Sequence, residues 1–148
     1  MSEQKIAWPM PREHMTPNQR AYMEYWNALI ADDRAAALSK ALTPDFIAHD
    51  LPEGQNDLEG IIAFRERVQK TFPDQEVTVR VMLEVGDQVV GYMTTSQTDP
   101  TTGQPFSFGV LDIVRVEGGK VAARWDEFDD PEGKLQEARR KLTQRQAH

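Results

Sequence analysis

Apolar side chains recur every third or fourth position through the first half of the chain, and every second position from Gln75 onward. The first pattern is that of helices packed by one face and the second that of strands. Thr16-Pro17 pairs a capping residue with proline at the first helical position, and Tyr22, Tyr25, Trp26, Leu29 and Ile30 then share one apolar face. Asp32-Asp33 interrupts that face, and Asp33 can cap a short second helix over 34–42, ended by Thr43-Pro44-Asp45. Residues 46–51 (FIAHDL) read as a short extended piece before Pro52. Asp57 looks like the cap of a third helix, with Ile61, Phe64, Val68 and Phe72 as its buried stripe.

Beyond Gln75, Val77, Val79, Val81, Leu83 and Val85 alternate with Glu76, Thr78, Arg80, Met82 and Glu84. Turn signals at Gly86-Asp87, over 99–103 and at Glu117-Gly118-Gly119-Lys120 separate four strands, which read as an antiparallel meander. Pro9 and Pro11 mark residues 1–16 as an irregular arm, and Pro131 opens a polar helix over 132–146. The expected organisation is therefore an arm (1–16), a main domain (17–130) and a C-terminal helix (131–148). Helices first and a meander after make an α+β domain. A strongly curved antiparallel sheet wrapped around the long helix, bent at Gly91, Gly103 or Gly109, would give a cone-shaped α+β barrel enclosing a cavity.

The 148 residues fit one domain, and chains of this length bury roughly 70% of their unfolded surface. A formal net charge of −7 argues against a general nucleic-acid or anionic-membrane binder. Five of the 17 basic residues (Lys134, Arg139, Arg140, Lys141, Arg145) sit in the C-terminal helix. There they read as a solvated face with cations toward the negative helix end, or as a docking site for an acidic partner. The chain has no cysteine, which excludes disulfides, thiolate nucleophiles and zinc–cysteine sites. No apolar run is long enough to span a membrane, and residues 1–15 lack a signal-peptide core, so a cytoplasmic protein is expected.

Two long strands carry most of the candidate chemistry. Phe106, Phe108, Val110, Asp112, Val114 and Val116 share one parity, as do Ala122, Arg124, Asp126 and Phe128. An acid among apolar neighbours is costly unless paired or used, so Asp112 and Asp126 require an explanation. In an apolar cavity Asp126 would have a raised pKa suited to taking and giving a proton; alternatively it pairs with Arg124 on its own strand. Asp112 shares a proton with Asp126, orients a histidine, or also pairs with Arg124. Of the three histidines only His49 lies within the domain pattern. It is either an acid/base or donor group, or is satisfied by nearby backbone, with Asp50 alternating away from it toward the loop. Arg124 either stabilises a developing oxyanion or serves as counter-ion to the acids. Trp26, Phe64, Met93 and Phe108 are candidates to line a cavity for an apolar, aromatic ligand with a few oxygens; such stripes are also ordinary core. No metal-ligand spacing, phosphate loop or nucleophile elbow is present.

The ordered set YMEYWNAL, FIAHDLPEG, FPD, VGDQVV, PTTG, GVLDIVRVEGGKV and RWDEFD, spanning roughly residues 18–130, resembles the nuclear-transport-factor-2-like superfamily. Within it the chain is similar to the SnoaL-like polyketide cyclases. The resemblance implies a conical cavity, with Phe108, Val110 and Asp112 facing it. It implies that Asp126, directly after Trp125, is the proton-transfer acid, and family members often carry an acid at the place of Asp112. The cyclases often have histidine two residues before the acid, where this chain has Arg124, a permanent charge. RWDEFD is also similar to the limonene-epoxide-hydrolase branch. The Asp-Arg-Asp set of that branch is missing, since Met93 and Thr95 stand at the corresponding places. The resemblance thus implies an enzyme that needs no cofactor and no metal, doing acid/base chemistry on an apolar, aromatic carbonyl compound: aldol-type cyclisation, its reverse as a lyase, or isomerisation. The alternative is a non-catalytic binding or association domain, because this fold hosts many activities. A homodimer is expected, with Val77, Val79, Val81 and Leu83 as candidates for its contact face.

Overall fold

In the computed structural model, which describes residues 5–130, 133–137 and 140–141, Thr16 caps the first helix. Its hydroxyl accepts from the backbone N–H of Gln19 at 3.1 Å, and the Gln19 side chain accepts from the backbone N–H of Thr16 at 3.0 Å. This reciprocal box sets the start of α1 (Pro17–Ile30). α2 (Arg34–Ala41) follows, without a side-chain capping bond from Asp33. α3 (Leu58–Thr71) is capped by Asp57, which accepts from the Gly60 N–H at 2.9 Å. Among the described residues no helix is long and apolar enough to cross a membrane.

The strands are β1 (Lys5–Ala7), β2 (Leu42–Ala48), β3 (Glu76–Val85), β4 (Gln88–Thr98), β5 (Pro105–Glu117) and β6 (Lys120–Asp129). They form one curved, unclosed sheet in the order β1-β3-β4-β5-β6-β2, with the helices packed on it in an α+β cone. β3 to β6 are the antiparallel meander. Gly118 and Gly119, both at positive φ, make the two-residue turn between β5 and β6. The sheet is mixed rather than wholly antiparallel. β1 runs parallel to β3 and β2 parallel to β6. Both edge strands come from the helical half, and long connections, not hairpins, separate them from their neighbours, which permits parallel pairing.

The N-terminal arm is thus not irregular throughout: it supplies β1 and a 3-10 turn at Arg12–His14. β2 begins four residues earlier than the proline-containing stretch suggests. Its register shifts between Leu42 and Ile47, and an edge strand can carry Pro44 because the missing donor need not face a neighbour. Of the helix expected over 132–146, residues 134–137 and 140–141 are helical, and the rest lies outside the described residues.

The alternation on β5 holds along its length: Phe106, Phe108, Val110, Asp112, Val114 and Val116 are all buried. On β3 it does not. The register slips between Val79 and Val81, a bulge at Arg80. Val77 and Val79 therefore face the core, whereas Val81, Leu83 and Val85 face outward at 43%, 55% and 61% exposure, with Met82 now inside.

Gly91 shows how closely α1 approaches the sheet. It lies across β4–β5 from Asp112, and a methyl group added there would collide with the hydroxyl of Tyr22. Tyr22 is fully buried and cannot swing to solvent. Gly91→Ala is therefore expected to lower stability by about 1–3 kcal/mol, the usual cost of overpacking. Urea denaturation checks this; an unchanged midpoint would show that the contact yields freely.

Candidate active site

The face of α1 that crosses the concave sheet ends in polar atoms. Tyr22, Tyr25 and Trp26 follow at three- and four-residue spacing, so all three side chains reach the same side. The Tyr22 hydroxyl donates to Asp112 Oδ2 at 2.8 Å, and the Trp26 indole N–H donates to the same oxygen at 3.0 Å. Asp112 is completely buried. Burial and then the charge of Asp112 push the Tyr22 phenol well up, so it keeps its proton as the donor.

Asp126 is the residue directly opposite Asp112 on β6, and its side chain is only 7% exposed. Asp112 Oδ1 and Asp126 Oδ1 are both buried without a hydrogen-bond partner. One proton held between the two carboxyls satisfies both oxygens. Burial, followed by the neighbouring Asp112, raises the pKa of Asp126 well above the ordinary aspartate value, and Arg124 offsets this only in part. Asp112 is the partner that receives two hydrogen bonds, and the bias toward the protonated form falls on Asp126.

Arg124 does not bridge the two acids. Its Nε and one terminal nitrogen donate to both oxygens of Asp50, at 3.0 and 2.6 Å, and its other terminal nitrogen donates to the Tyr25 hydroxyl at 3.1 Å. Asp126 Oδ2 lies 3.6 Å from the terminal nitrogen that binds Asp50, so Asp126 also forms an ion pair with Arg124, which is one of the two arrangements expected of it. Burial opposes the guanidinium charge, but Tyr25, Asp126 and Asp50 outweigh it and raise the Arg124 pKa. Burial likewise pushes the Tyr25 phenol up. The Phe64 ring lies beneath the guanidinium, 5.4 Å from its carbon.

A cavity of about 70 Å³, measured as space open to the centres of water molecules, lies between α1, α3 and the sheet. Trp26, Phe64, Met93 and Phe108 all line it, as do Arg124 and Asp126. Asp112 sits behind Asp126 rather than on the wall. His49 is not brought to the others. It is exposed, its ring stacked on Trp125 at 4.7 Å and 3°, and its backbone N–H donates to the Arg124 carbonyl at 2.9 Å. Phe46 and Ala48 face the core, so alternation turns His49 outward and Asp50 back in. This is the reverse of the sides expected for the two residues. Among the described residues no cluster of three or more His, Cys, Asp or Glu is placed to hold a metal ion.

Four further residues belong to the site. The sequence pattern shows Tyr22 and Tyr25 only as apolar positions, and it sends Asp50 to the loop. Arg65 lines the cavity and is buried, its guanidinium carbon 5.7 Å from the Trp26 ring. Burial and then Arg34 lower its pKa to about 10, which leaves it charged at neutral pH. A signal for Arg65 does exist in the sequence: it is four residues after Ile61 and three before Val68, on the apolar stripe of α3.

Residues 18–136 match the family model of the SnoaL-like polyketide cyclases. Among solved structures, the chain is 28% identical to TsrD from Streptomyces laurentii, with 81% of this chain and 91% of that one covered and a TM-score of 0.64. IdmH from Streptomyces antibioticus, a polyketide cyclase candidate, is 24% identical over 76% and 91% of the two chains, with a TM-score of 0.66. A polyketide cyclase candidate from Bacillus cereus ATCC 10987 is 20% identical over 84% of each chain, with a TM-score of 0.67. Among curated proteins, none matches the chain.

The raised pKa of Asp126 carries a stability cost with a definite sign. Above the ordinary value of 3.8 the unfolded chain loses this proton while the folded chain keeps it, so stability falls as pH rises toward the raised value. Asp126→Asn removes that penalty, and its amide can still donate to Asp112. Urea unfolding between about pH 5 and 8 should show the variant gaining on the wild type as pH rises, by at most about 1.4 kcal/mol per unit. A pH-independent difference would mean that Asp126 ionises normally.

Proposed function

The chain belongs to the SnoaL-like polyketide cyclase family, and from that membership we propose that it moves a proton at carbon next to the carbonyl of an apolar, aromatic small molecule. Asp126 is the acid/base group. The observation that carries this reading is a single one. In a cavity with an otherwise largely apolar wall, one carboxyl is buried and held beside a second carboxylate, which raises its pKa.

The geometry supports the following roles. A substrate seated against Trp26, Phe64, Met93 and Phe108 presents its α-carbon to Asp126. The ionised form of Asp126 takes the α-proton, and the electron pair moves into an enolate. In ring closure the enolate carbon bonds to a second carbonyl carbon of the same molecule. Asp126 then returns the proton to the resulting alkoxide, so no proton is gained or lost. The reverse sequence is a lyase, and return of the proton to a different carbon is an isomerisation. Arg65 and Arg124 supply positive potential as the enolate oxygen becomes charged. Asp112, fixed by Tyr22 and Trp26, keeps Asp126 basic enough to accept a carbon-bound proton. His49 has no part in this mechanism, because it lies on the outer surface. The homodimer belongs to the same proposal, with Val81, Leu83 and Val85 as the outward apolar strip that a second copy would cover.

Proton exchange tests this whatever the natural substrate is. The protein is incubated in D₂O with aryl ketones, β-keto esters and aryl aldol compounds, and α-hydrogen exchange is followed by proton NMR. Exchange is expected for the wild type. It should fall by on the order of 10²–10⁴ in Asp126→Asn, the usual worth of a positioned acid/base group, and stay near wild type in His49→Ala. Silence across the panel, or full activity in Asp126→Asn, favours the non-catalytic association domain. In Asp112→Asn the loss of a neighbouring charge lowers the pKa of Asp126. The rise of exchange rate with pH should then begin at lower pH than in the wild type; an unshifted profile contradicts the role given to Asp112.

A further inference from the structure

At the other end of the cavity from the carboxyl pair, two more polar residues are buried without need of one another. Gln75 and Thr95 are each 4% exposed, both line the cavity, and Gln75 Oε1 and Thr95 Oγ1 lack hydrogen-bond partners. The orientation of Gln75 is set by a chain of bonds. The Phe106 carbonyl can only accept, so Gln97 turns its Nε2 to it at 3.1 Å. Gln97 therefore offers Oε1 to Gln75, whose Nε2 donates there at 3.1 Å. That leaves Gln75 Oε1 as a free acceptor. Thr95 lies across from Val77 on β3 and Phe108 on β5, on the face that looks into the cavity.

We propose that Gln75 and Thr95 form a specificity subsite for a hydroxyl at the far end of the substrate, the hydroxyl donating to Gln75 Oε1 and accepting from the Thr95 hydroxyl. The proposal rests on the reading of Asp126 as the group at the reacting end. Buried polar atoms are almost always paired, and a hydroxyl with one donor and two lone pairs matches what these two side chains lack. The spacing sets a length. Thr95 is opposite Phe108, and Phe108 is four residues along β5 from Asp112. At about 3.4 Å per residue that is about 14 Å. Subtracting a contact of about 2.8 Å at each end leaves about 8 Å between the substrate's reacting α-carbon and its distal hydroxyl. Two fused or linked rings span that distance, and a single ring does not.

The probes are an acetylnaphthalene and its counterpart with a hydroxyl on the far ring, titrated into the protein by calorimetry. The wild type should bind the hydroxylated ketone more tightly by on the order of tenfold. Thr95→Val, which keeps the shape and removes the hydroxyl, should lose that preference while holding the plain ketone as before, and Thr95→Ser should restore it. Equal affinity in the wild type, no binding of either ketone, or a preference that survives in Thr95→Val overturns the subsite. Calorimetry reads binding alone, so a preference without Asp126-dependent exchange would remove the proton-transfer reading and leave the subsite standing.

Discussion

The pairing of Asp112 with Asp126 across two neighbouring strands is the constraint around which the rest is arranged. Two acids facing each other in an apolar interior cannot both be charged without large cost, so they share a proton. Which one holds it is decided from outside the sheet. Tyr22 and Trp26, one helical turn apart on α1, both donate to Asp112 and to nothing on Asp126. Gly91 makes room for the Tyr22 hydroxyl to get there. The docking of α1, the missing side chain at Gly91 and the protonation of Asp126 are thus one structural decision.

Arg124 could have held Asp126 ionised, but its fork is taken up by Asp50 in bidentate geometry and by Tyr25. Asp50 therefore acts on Asp126 in two ways, by keeping the guanidinium occupied and by its own negative charge, which raises the Asp126 pKa. An arginine two residues before the acid is compatible with a raised carboxyl because this third aspartate binds its guanidinium.

Much of this is legible in the sequence. Helix starts at Thr16 and Asp57, the meander, and the inward parity of β5 follow from capping chemistry and alternation, which are local. Sequence also groups Trp26, Phe64, Met93, Phe108, Arg124 and Asp126 in one region. The misreadings have several causes, the first being that alternation is reliable only until the register changes. On β3 the bulge at Arg80 moves Val81 and Leu83 to the outside. In FIAHDL, parity alone does not say whether Phe46 or Ile47 points in, and the histidine favours the wrong set. Edge strands β1 and β2 are hidden because their pairing depends on distant partners. Tyr22 and Tyr25 count as apolar in the helix pattern, which sees the ring and not the hydroxyl.

The proposed chemistry turns on Asp126 holding its proton well above the ordinary aspartate range because it is buried beside Asp112. Carboxyl carbon NMR of the protein labelled at its aspartates, titrated through the neutral range, reads this state without any substrate. One aspartate resonance should titrate far above the ordinary carboxylate range and be lost in Asp126→Asn. If every aspartate titrates in the ordinary range, the two acids ionise independently, and neither the shared proton nor the acid/base role built on it survives.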